Sequence, residues 1–82
     1  MASQSRSAAS SEQVQTALSR VLLQKIRQDH HPSYTQMTLL EQVIPPSLYR
    51  EYVTVLLEKV VHDNRPSTTV IRRIQGFASQ IP

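Results

Sequence analysis

The residues best equipped for chemistry in this 82-residue chain are three histidines, His30, His31 and His62, standing beside Asp29 and Asp63. Imidazole titrates near neutral pH, so it serves as a general base or a metal ligand. A metal site needs three or four such groups converging on one point. Here they fall in two clusters about thirty residues apart, and adjacent side chains such as His30 and His31 tend to point apart. The plainer reading places them at helix C-termini, where a positive charge complements the macrodipole. A Ser-His-Asp arrangement cannot be told from the background of serines, and nucleophilic catalysis also needs an oxyanion hole and a cleft. Cysteine is absent, which removes thiol nucleophiles, thiolate zinc sites and disulfides together. A single glycine leaves no material for a phosphate-cradling loop. The expectation is a protein that is not an enzyme and that carries no metal and no cofactor.

A second constellation is basic. Net charge is +3, from nine Lys+Arg against six Asp+Glu. That mild excess permits a nucleic-acid partner without demanding one. Asn64 in a short turn, then Ser67-Thr68-Thr69-Val70 opening a helix that carries Arg72 and Arg73, resembles a helix-turn-helix. The resemblance implies that Arg65, Thr68, Thr69, Arg72 and Arg73 face a DNA major groove. With Val70 on the motif's buried position, Arg73 lands where the motif wants an apolar side chain, and the preceding helix is too long. The competing reading is an amphipathic core helix with solvated arginines.

The elements that position these residues follow from periodicity and caps. Residues 1–10 are Ser/Ala/Gln with one charge, Arg6, and read as a disordered tail; Arg6-Ser7 also fits a kinase site by composition alone. Ser10-x-x-Gln13 is a capping box, and Val14, Ala17, Leu18, Val21, Leu22 and Ile26 form one stripe over a helix at 11–28. Leu23 lies off that stripe. Arg20, Lys25 and Arg27 invite a membrane-surface reading of this helix, but the basic residues are few and interfacial Trp or Phe is missing. Pro32 ends the helix, and Ser33-x-x-Gln36 opens a short one at 34–43. Pro45-Pro46 forces a break, and Pro46 can itself begin the next helix, at 46–63. β-Branched residues such as Val53 and Val55 leave a strand over 52–57 as the competitor. Asn64 offers the left-handed geometry of a helix end, and Ser67 caps a last helix at 68–80 with Val70, Ile71, Ile74, Phe77, Ala78 and Ile81 as its stripe. Gly76 within it suggests a close helix–helix crossing.

The sequence therefore predicts an all-α fold, a small bundle of three to four helices forming a single domain over 11–82. The helix at 46–63 carries apolar residues over more than half its circumference. Ile44-Pro45-Pro46-x-Leu48, a helix, then Arg65-Pro66 and a helix with Phe77-Ala78 resembles the dimerisation/docking module of protein-kinase-A regulatory subunits. That resemblance spans about 44–78, differs in spacing by a couple of residues and implies an antiparallel four-helix dimer holding a partner helix in an apolar groove. From apolar surface in excess of what one small bundle hides, the expectation is a non-catalytic interaction or regulatory module, self-associating as a homodimer or docking onto another protein. Tyr49, Tyr52, Val53 and Leu56 are the expected partner-binding residues. No apolar run is long enough to cross a membrane and no signal segment is visible, so an intracellular, cytoplasmic setting is expected.

Overall fold

The computed structural model describes residues 10–82. Among them are four α-helices and one 3₁₀ turn: α1, Ser11–Gln28; α2, Tyr34–Val43; the turn Pro46–Leu48; α3, Tyr49–Val61; and α4, Thr68–Ala78. No described residue is in a strand, and no helix is long and apolar enough to cross a membrane. The tail expected over 1–10 lies outside the described residues except for Ser10, which caps α1.

Each start is set by a side chain that satisfies orphan amides. Ser10 and Gln13 form the reciprocal box: Gln13 N donates to Ser10 Oγ at 3.1 Å and Ser10 N donates to Gln13 Oε1 at 2.9 Å. Ser33 Oγ accepts from Gln36 N at 3.1 Å. Gln36 does not return the bond, and its Oε1 is buried without a partner. Ser67 Oγ accepts from both Thr69 N and Val70 N.

The helix expected over 46–63 divides. Pro45 and Pro46 have no amide to give, and the chain first tightens into the 3₁₀ turn, with Leu48 N donating to Pro45 O at 2.9 Å. α3 ends at Val61, two residues early, because His62 turns out of the helix. No described residue has a positive φ, so Asn64 does not supply the left-handed end expected of it. α4 stops at Ala78 rather than 80, its last amides bonding in shorter turns.

α1 packs on α2, and α3 packs on α4. The two hairpins share one core of Leu23, Ile26, Met37, Leu40, Ile44, Leu48, Tyr52, Val55 and Leu56, with Leu22, Tyr49, Val70, Ile74 and Phe77 closing over it. Polar ties hold the α1 C-terminus to α3: Lys59 Nζ donates to Arg27 O and Asp29 O, and Arg27 pairs with Glu51 at 3.2 Å. Arg27 O is an orphan carbonyl of α1's last turn and Asp29 O belongs to its C-cap, a helix end where a cation is favoured.

The face of α1 that meets the core is not the expected one. Ser19, Leu23 and Ile26 are buried, whereas Val14, Leu18 and Val21 are 54%, 45% and 64% exposed. Length leaves the first turns uncovered, and the choice of face leaves out Val21, which stands between buried Ser19 and Leu23. α2 has ten residues and extends about 15 Å, so it can cover little more than half of α1's roughly 27 Å. The covered part carries Leu22, Leu23 and Ile26, and it turns these inward; Ser19 joins them because its hydroxyl donates to Gln15 O at 2.7 Å. Residues 11–18 include no buried side chain.

Candidate functional site

Of the four residues expected to meet a partner, three are sealed within the chain. Tyr52 and Leu56 are fully buried and Val53 is 9% exposed. Tyr49 is half-buried, its ring edge-to-face with Phe77 at 5.1 Å, and Phe77 makes the same contact with Tyr52 at 5.4 Å. Such pairs add about 0.5–1.5 kcal/mol beyond area burial. Much of the apolar circumference of α3 is covered within the chain, by core from α1 and α2 and by Phe77 of α4, while Leu57 and Val61 stay 47% and 69% exposed.

One line of exposed apolar side chains lies on α1. Val14, Ala17, Leu18 and Val21 recur at helical spacing on one line, and all are exposed. At about 100° per residue, this outer line stands roughly 155° from the inner line of Ser19, Leu23 and Ile26. Elsewhere, Leu39, Leu57, Val61 and Ile71 are exposed apolar side chains on the other helices. The signal for the outer line was present in the sequence: the short partner helix at 34–43 and the second apolar run Leu22-Leu23-x-x-Ile26 together imply two faces.

The basic constellation is also rearranged. Arg65, Thr68, Thr69 and Arg72 are exposed. Arg73 instead turns inward and donates from Nη1 to Glu41 Oε1 at 2.5 Å and from Nη2 to Thr38 Oγ1 at 3.4 Å. Its guanidinium lies over the Tyr34 ring at 5.8 Å. Tyr52 Oη donates to the other Glu41 oxygen at 2.5 Å. One carboxylate therefore joins α2, α3 and α4. Burial, then the Glu41 hydrogen bond and charge, push the Tyr52 phenol far above its ordinary range. Burial works against the Arg73 charge, but the Glu41 hydrogen bond and charge outweigh it and hold the guanidinium protonated more firmly than usual. Arg73 Nε is buried with no partner. Tyr34 and Ser67 hydroxyls, 2.7 Å apart, extend the cluster to the α4 cap.

His30, His31 and His62 all line one open groove of about 820 Å³, between the α1–α2 turn and the C-terminal end of α3. Met37, Val55, Leu56 and Val70 contribute apolar walls, and Asp29, Lys59 and Asp63 contribute charge. The His30 and His31 rings are 6.4 Å apart and tilted. Among the described residues no three His, Asp or Glu side chains converge as metal ligands. Lys59 and Asp63 are engaged in the fold, Lys59 on the α1 carbonyls and Asp63 Oδ1 accepting from Arg65 N at 3.0 Å. Comparison of the chain with known protein families, with curated proteins and with solved structures gives no match.

Proposed function

We propose that this chain is a non-catalytic interaction module that self-associates through the outer face of α1. The observation that supports the reading is the line of Val14, Leu18 and Val21, each about half exposed or more, on a helix whose opposite face already serves the core. An amphipathic helix normally has one apolar face, and the second is surface that water pays for until a partner covers it. The partner surface thus moves from Tyr49, Tyr52, Val53 and Leu56 on α3 to α1.

Light scattering coupled to size exclusion tests this directly. The chain should run as a dimer at micromolar concentration, and Leu18→Glu should run as a monomer with an unchanged helical circular-dichroism spectrum. Leu18 is 45% exposed, so covering each copy is worth about 1 kcal/mol, and the dimer contains two. A wild-type chain that stays monomeric throughout the micromolar range would refute the proposal.

A further inference from the structure

Resting on that reading, we infer that the two copies of α1 pair antiparallel, about a twofold axis passing between Ala17 and Leu18. Three observations lead there. The outer line is symmetric in spacing: Val14, then Ala17 and Leu18, then Val21, at intervals of three, one and three. Reversing a second copy about the midpoint sets Val14 against Val21 and the small Ala17 against Leu18. Each apolar side chain of the line then meets an apolar side chain, as it also would in a parallel pair, and the isologous contact closes on itself; charge decides between the two.

Charge gives the second reason. Lys25 is exposed and continues the outer line one turn beyond Val21, while the other end of that line carries only Ser10 and Ser11. Parallel pairing would bring the two Lys25 ammonium groups together at the seam. Antiparallel pairing separates their helix levels by about 22 Å, well beyond the Debye length of about 8 Å at physiological salt. Opposed helix dipoles favour the same orientation. The third reason is access. α2 packs on the inner face of α1, and the capped first turns of α1 extend beyond it with no buried residue, so the outer line is open along its whole length.

The chain has no cysteine of its own, which makes the register directly readable. Val14→Cys and Val21→Cys proteins, one isotopically labelled, are mixed and mildly oxidised, and the disulfides are weighed by mass spectrometry. Both positions are exposed, and circular dichroism confirms that each variant is folded. In the antiparallel register like positions sit about 10 Å apart along the axis, too far for a disulfide, so the mixed 14–21 species should exceed either like pair about tenfold. Predominant like pairs would overturn the orientation while leaving self-association intact. A dimer that forms neither would place the interface elsewhere and overturn the pairing. A monomer would overturn the proposed function itself.

Lys25→Glu supplies a second readout. Antiparallel pairing sets residue 25 beside the partner's α1 N-terminus, where a negative charge is favoured, so the dimer should tighten by about 3- to 30-fold. Parallel pairing would exchange one like-charged pair for another, and an unchanged or weakened dimer counts against the inference.

Discussion

Glu41 is the residue on which the three later elements agree. Its two oxygens accept from Tyr52 on α3 and Arg73 on α4, in a setting where less than a fifth of either ionic side chain is exposed. Glu41→Ala strips the partner from a buried phenol and from a mostly buried guanidinium at once. Breaking such a pair leaves an uncompensated charge, and the expected cost is about 2–4 kcal/mol in urea unfolding. A loss below 1 kcal/mol would show that water replaces the carboxylate freely.

Tyr52 adds a pH dependence of definite sign. Its phenol is raised in the folded state, first by burial and then by Glu41, so folding favours the protonated form. The stability this contributes is complete below about pH 10, where the unfolded tyrosine is also protonated, and is lost as pH rises above that value. The slope from this one group approaches about 1.4 kcal/mol per pH unit. Tyr52→Phe should cost about 1 kcal/mol near neutrality through the lost hydrogen bond, yet flatten the alkaline limb. Parallel urea-midpoint curves for the two proteins between neutrality and the alkaline range would exclude this account.

At the scale of elements, α4 is the helix held least by burial. It has no fully buried residue, and its grip comes from half-buried Val70, Ile74 and Phe77 together with Arg73. Gly76 does not mark a close crossing, since a Cβ built there meets nothing within 4 Å. The glycine is therefore only an entropic cost to the helix. Gly76→Ala should stabilise the protein by about 0.8–1 kcal/mol, raising the melting temperature by roughly 4–8 °C in a domain of this size. A fall in melting temperature would mean that α4 relies on flexibility at this point. α1 presents the reverse case: its cap and last-turn contacts are well made, but its first turns have no intramolecular cover.

For the whole molecule, a chain of 82 residues with neither disulfide nor any metal-ligand cluster among the described residues has a small core to oppose its conformational entropy. Association through α1 would add to it by mass action. The melting temperature should therefore rise with protein concentration across the dimerisation range, and Leu18→Glu should remove that dependence. A concentration-independent melt in the wild-type chain would separate stability from self-association.

Much of the fold was legible because it is decided locally. Ser10, Ser33 and Ser67 announce their helices, the prolines close the intervals between them, and the bounds of α1 and α2 follow residue for residue. Apolar spacing and the scarcity of glycine select helix over strand even through the β-branched run of α3. What a helix face meets is a different kind of fact, because periodicity reports that a face is apolar and not which neighbour is long enough to cover it. Val14, Leu18 and Val21 read as core until α2 packs on the other face of α1, the one that carries Ser19, Leu23 and Ile26. Tyr52 and Leu56 read as surplus until α1, α2 and α4 close around them. Arg73 reads as solvated until Glu41, thirty-two residues earlier, turns it inward. The line on α1 is set by sequence, but its exposure is a property of the assembled bundle.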